Sequence, residues 1–149
     1  MQSDSLIIDF HEFDSNRSST PIPAARLREI TEVEVASRFP YIRIEGLPFG
    51  GYDAWTEGGW NELIEAYLTL EELYISRKNE KHTLFMDDGE LQIEADILGN
   101  STNISITLVP FSNKYLTKSW KIERSTQNYL LSWRCVAHSL AEMGSWTSG

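Results

Sequence analysis

A chain of 149 residues has the length of one domain and can bury roughly 70% of its unfolded surface without disulfides or metal, so a single domain over residues 1–149 is expected. Hydrophobic residues at 41% and charged residues at 23% exclude a disordered chain and a coiled coil. The formal net charge of −9, from 13 basic and 22 acidic residues, disfavours nucleic acid and anionic membrane as partners through the same long-range field that attracts a basic protein.

No run reaches the eighteen or so apolar residues that cross a bilayer. The opening "MQSDSLIIDFHEFD" has neither a basic stretch nor a long apolar core of the signal-peptide kind. Cys135 is the single cysteine, which excludes an intrachain disulfide, and a cytoplasmic location is expected.

Leu6 to Phe10, "LIIDF", reads as a short strand, and "DSNRSSTPIP" from Asp14 to Pro23 as a turn-rich loop, because its two prolines forbid regular pairing. Leu27, Ile30, Val33 and Val35 suggest a second strand. In "YIRIEGL", Tyr41 to Leu47, Ile42 and Ile44 share one face of a third strand while Arg43 and Glu45 share the other. The glycine pairs of "PFGGYDAWTEGGW", Pro48 to Trp60, read as turns carrying Phe49, Tyr52, Trp55 and Trp60. Asn61 to Lys78 has helical spacing, with Trp60, Leu63, Ile64, Tyr67, Leu70 and Tyr74 on one stripe and Glu62, Glu65, Thr69 and Glu72 opposite. Its early acids and its late Arg77 and Lys78 suit the helix dipole.

Three strands follow, His82 to Met86, Gly89 to Leu98 and Asn103 to Phe111, joined at Asp88-Gly89 and by "GNSTN", Gly99 to Asn103. In the middle strand Leu91, Ile93, Ala95 and Ile97 point one way and Glu90, Gln92, Glu94 and Asp96 the other. Tyr115 to Glu123 suggests one more strand. A second helix, capped by Ser125 or Thr126, runs to about Met143 with Tyr129 or Leu130, Trp133, Ala137 and Leu140 on one face and Gly144 as its stop. These elements predict an α+β domain: one twisted, mostly antiparallel sheet of about six strands, with two amphipathic helices packed on one face. The Gln92, Glu94, Asp96 face then looks at water or at a partner.

The residues offer little chemistry. His11 and Glu12 point apart on a strand, and no second histidine stands four residues from the first, so no metal site is expected. His82 reads as a solvated strand-end histidine. Cys135 and His138 stand three apart on the last helix, where a nucleophilic pair is conceivable and a small buried thiol is the simpler reading. His138 with Glu142 reads as a surface pair. Gly50-Gly51 and Gly58-Gly59 lack phosphate-loop spacing, and Asp87-Asp88 beside Gly89 reads as a turn former. Neither a catalytic residue nor a cofactor is expected. Recognition remains: an aromatic loop of Phe49, Tyr52 and Trp55 lies beside an acidic helix face, and exposed aromatics ringed by polar residues anchor protein interfaces.

The order "GGYDAW", "NELIEAYLTLEELY", "DDGELQIEADILGNSTNISITLVP", then an aromatic-rich strand and "TQNYLLSWRCVAHSL", resembles the WapI-like immunity proteins of bacterial toxin systems and, more loosely, those of contact-dependent growth inhibition. The resemblance spans about Val33 to Ala141 and rests on Gly50-Gly51, the Leu-Tyr pattern of the first helix and Gly89-Glu90-Leu91. It implies a small cytoplasmic antitoxin, not an enzyme, that binds one cognate toxin domain, often a nuclease, and covers its active site or substrate path. Members of that family use different surfaces, so no binding residue is carried over. The chain's own candidates for partner binding are Trp55, Glu62, Glu65, Glu72, Asp87, Asp88, Glu90, Glu94 and Asp96. A nuclease is basic where it holds phosphate, so an acidic inhibitor is steered to that surface. Two alternatives stand beside this one. The first is an acidic secretion chaperone, typically a dimer, or another protein-binding module. The second is a small hydrolase built on Asp87, Asp88 or His82.

Overall fold

The computed structural model describes residues 6–9, 42–47, 50–54, 60–86, 89–109 and 114–143. In chain order these form β1 (Leu6–Asp9), β2 (Ile42–Leu47), β3 (Gly50–Ala54), α1 (Trp60–Ile75), β4 (Lys81–Met86), β5 (Leu91–Leu98), β6 (Ser101–Leu108), a short 3-10 turn (Lys114–Leu116), β7 (Lys118–Ser125) and α2 (Thr126–Met143). The architecture is α+β, and among the described residues the seven strands make two sheets, of three and four strands, instead of one sheet of about six. The suggested strand around Leu27 to Val35 and the loop from Asp14 to Pro23 lie outside the described residues.

The larger sheet is an antiparallel meander in the order β4-β5-β6-β7. Period-two alternation drives it, because Leu91, Ile93, Ala95 and Ile97 all turn inward and are buried. The β5–β6 connection is tighter than the five-residue turn expected: Leu98 pairs with Ser101, leaving only Gly99 and Asn100 between. Of these two only Gly99 has a positive φ, +67°, the pattern of a type II′ turn, which matches the twist of the flanking strands. Thr102, turned inward and buried, then extends β6 toward the turn. At the other end, Lys114–Leu116 curl into the 3-10 turn, so β7 starts at Lys118, and Tyr115 is 97% exposed instead of lying in a strand.

The smaller sheet has the order β1-β2-β3, with β1 parallel to β2 and β3 antiparallel to it. Gly50 and Gly51 open β3; they are not a turn. A bulge between Ile44 and Leu47, with Gly46 at φ +84°, brings the chain round to it. Gly51 has a packing reason, since a Cβ there would collide with the guanidinium of Arg43. Arg43 lies across the outer surface of this sheet, its Nε donating to Glu45 Oε1 at 2.7 Å and its Nη1 to Asp53 Oδ1 at 2.8 Å.

Helix α2 is the hub, packing on α1, β1, β6 and β7. Helix α1 is embedded over a wider arc than a single stripe: Ala66, Leu68 and Leu73 are buried together with Leu63, Ile64, Tyr67 and Leu70, while Glu65, Thr69, Glu72 and Ile75 are exposed. The helix stops at Ile75, short of Lys78. Arg77 adopts a left-handed φ of 58°, its N–H donating to the Tyr74 carbonyl at 3.2 Å while Lys78 N–H donates to that of Leu73 at 3.0 Å; this is a Schellman ending with arginine where glycine is usual. At the start of α2 the cap is Ser125, whose Oγ accepts from Asn128 N–H at 3.1 Å. Thr126 is buried instead. Its N–H donates to Asn100 O at 2.8 Å and its Oγ1 to Gly99 O at 2.7 Å, and Thr102 Oγ1 lies 2.8 Å from Thr126 Oγ1. One hydrophobic core joins both sheets and both helices, with Trp133, Tyr129, Ile8, Ile42 and Ile44 among its largest fully buried side chains.

Candidate functional site

Because β4 to β7 pair in continuous register, their outward side chains form rungs across the sheet. One rung reads Lys81, Asp96, Asn103, Glu123; the next Thr83, Glu94, Ser105, Lys121; the third Phe85, Gln92, Thr107, Ser119. The rungs between them turn to the core and, apart from His82 opposite Ala95, are apolar: Ala95, Ile104 and Ile122 in one, Leu84, Ile93 and Ile106 in the other are buried. No side chain of the three outer rungs is buried, and Phe85 at the β4 end is 46% exposed.

The two charged rungs border a groove of about 430 Å3. Its charges are of both signs. Lys81 Nζ approaches Glu94 Oε2 at 3.9 Å, and Ser101 Oγ donates to Glu123 Oε2 at 2.7 Å. Asp96 on β5 and Lys121 on β7 stand on adjacent rungs two strands apart, and among the described residues neither forms an ion pair. The uniformly acidic face expected from β5 alone is therefore corrected: three carboxylates, of Glu94, Asp96 and Glu123, share the surface with the ammonium groups of Lys81 and Lys121.

The residues proposed from the sequence divide among several places. Glu94 and Asp96 fall together on adjacent rungs. Glu90 is in the turn before β5, half-buried, with its carbonyl accepting from Val109 N–H at 2.8 Å, one step beyond the Leu91–Leu108 pair and outside the groove lining. Glu65 and Glu72 are exposed on α1, and Glu62 is half-buried there; they belong to a separate surface of the helix layer. Trp55, Asp87 and Asp88 lie outside the described residues. Lys81, Asn103, Lys121 and Glu123 were missed, although the same alternation that marks Glu94 and Asp96 marks Lys121 and Glu123 against Ile122.

The titratable groups with displaced protonation stand elsewhere. His82, inward-facing opposite Ala95 and half-buried instead of solvated, is held below its ordinary value by burial. Burial pushes the Tyr129 phenol up, and it does the same to Tyr67, which also donates to Glu71 Oε2 at 2.5 Å. His138 is only 4% exposed, so it is a buried residue and not a surface one, the Glu142 side chain lies outside the described residues, and Cys135 is half-buried on the same helix. None of these groups lies on the outer face of the sheet. Among the described residues no three His, Cys, Asp or Glu side chains come together to hold a metal ion, and no helix is long and apolar enough to cross a membrane. The chain matches no protein-family model, no curated protein and no solved structure.

Proposed function

We propose that this chain is a protein-binding module of the immunity type, which neutralises a cognate toxin domain by covering it with the outer face of the four-stranded sheet. The observation that carries the reading is the solvent-facing ladder of ordered charges of both signs, with Asp96 and Lys121 on one groove and, among the described residues, without an ion-pair partner. A sheet needs only one apolar face to be stable. A second face that is polar and grooved, and carries opposite charges at fixed spacing, suits a partner bringing the complementary pattern. Such a partner places a cation against Asp96 and an acceptor against Lys121.

The overall charge of −9 acts at longer range. It steers a basic domain such as a nuclease into encounter, while the sheet-face contacts set how slowly the complex parts. Inhibition of this kind is occupancy, so it asks for no catalytic residue and no cofactor from this chain. The α1 carboxylates Glu65 and Glu72 add to the steering field from their own surface.

The test is co-expression with the C-terminal domain encoded immediately upstream, followed by pull-down and a growth assay, with Asp96→Lys/Lys121→Glu beside the unaltered chain. Rescue of growth and a stable complex for the unaltered chain, both lost in the doubly reversed variant, are expected. A harmless or unbound upstream domain would defeat the immunity reading, and a complex indifferent to the reversal would move the interface off this face.

A further inference from the structure

A second recess lies between the end of α1 and the β5–β6 turn. It encloses about 200 Å3, with Leu73 and Ile97 as an apolar floor and Arg77, Lys78, Asn79 and Asn100 among its polar walls. Every charged side chain lining it is a cation, in a chain whose net charge is −9. Among the described residues neither Arg77 nor Lys78 makes an ion pair. The last carbonyls of α1 are met by backbone donors, that of Glu72 by Ser76 N–H at 2.9 Å and those of Leu73 and Tyr74 by Lys78 and Arg77 N–H, so none of the three needs a side-chain donor from Arg77 or Lys78. Tyr74 Oη lies 3.3 Å from Asn100 Oδ1 and 3.4 Å from Gln127 Nε2, which leaves the Asn100 amide nitrogen as that side chain's remaining donor.

Arg77 itself is the second observation. It holds a left-handed φ of 58° at the one position of the helix ending where glycine is unstrained. Strain retained at a cleft is a pointer to function. We infer that this recess binds a small carboxylate with a short apolar body, its anion held by Arg77 and Lys78 and its alkyl group on Leu73 and the exposed Ile75. The volume is too small for a nucleotide or drug-sized ligand, which need some 300 Å3 or more. A leucine-like acid fits the combination of two cations with an aliphatic floor, and it has two sources: a free organic acid or the C-terminus of a polypeptide.

The experiment is an amide-resolved NMR titration of the full chain with N-acetyl-leucine, its uncharged amide N-acetyl-leucinamide, and isocaproate, which lacks the peptide bond. Saturable shifts at Arg77, Asn79, Gly99 and Asn100 with N-acetyl-leucine, absent with the amide, are expected at millimolar concentration. Equal binding of isocaproate identifies a free acid, and binding of N-acetyl-leucine alone identifies a chain terminus. R77G and Lys78→Gln should each weaken binding by about tenfold or more, the scale of one charge-assisted contact. R77G should melt no lower than the unaltered chain, because glycine takes the left-handed conformation without strain. Shifts that are absent, or identical with the amide, would overturn the inference. A clearly lowered melting temperature for R77G would overturn it as well, by making Arg77 a stabiliser of the helix end.

Discussion

The inner rungs of the four-stranded sheet, such as Leu84–Ile93–Ile106, are nearly sealed from solvent, whereas the outer rungs beside them carry Lys81–Asp96–Asn103–Glu123 and Thr83–Glu94–Ser105–Lys121. The two faces share every backbone hydrogen bond, so the strands and their register are common to both. The inner face alone is packed against α2, which reaches β6, β7 and the parallel strand β1 at once. Stability therefore concentrates on one side of the sheet, and on the other side residues can change without unfolding the chain.

Substitution on the inner face is the sharpest way to break this division. Ile106→Ala should lower the unfolding free energy by about 2–5 kcal/mol, since it removes most of a fully buried side chain and leaves a gap that the core fills only in part; denaturant melts would measure it. Thr126→Val comes next. Thr126 Oγ1 has one proton, and with that donated to Gly99 O, Thr102 must donate in turn. The valine variant leaves a buried hydroxyl and a carbonyl short of partners, at a cost of about 1–3 kcal/mol.

His82 gives a smaller, pH-dependent effect on the same inner side. Its folded-state pKa lies below the ordinary 6.5 because burial disfavours the imidazolium. The unfolded chain therefore takes up the proton first. Stability is complete above about pH 7 and declines as pH falls through 6.5 toward the lowered folded value. Melting curves between neutral pH and the carboxylate range should show this slope, and His82→Gln should flatten it.

The larger sheet was legible in the sequence because its strands are long, alternate cleanly and are joined locally. Leu91 to Ile97 and Asn103 to Ile106 read directly, and Gly99 announced the turn. The smaller sheet was not. The parallel partners Ile8 and Ile44 are far apart along the chain, and no local period records a pairing of that kind. Gly50-Gly51 resembles a turn because glycine's usual reason is conformational, yet at Gly51 it is the space taken by the Arg43 guanidinium. Helix α1 was read too long at its C-terminus since Arg77 and Lys78 suit a helix end electrostatically, and nothing local marks an arginine that will turn left-handed. The site was half legible: alternation isolated Glu94 and Asp96, but only the register set Lys81 and Lys121 among them.

The most direct measurement is the pair of numbers, stability and partner affinity, for the Asp96→Lys/Lys121→Glu variant. On the outer face both side chains meet solvent, so unfolding free energy should fall by no more than about 1 kcal/mol, the scale of the like-charge pair that a lysine at 96 makes with Lys81 across the strands. Affinity for the toxin domain, measured at low and at physiological salt, should fall by at least about tenfold, a loss of some 1.4 kcal/mol. Unchanged affinity with unchanged stability would contradict the assignment of recognition to this face.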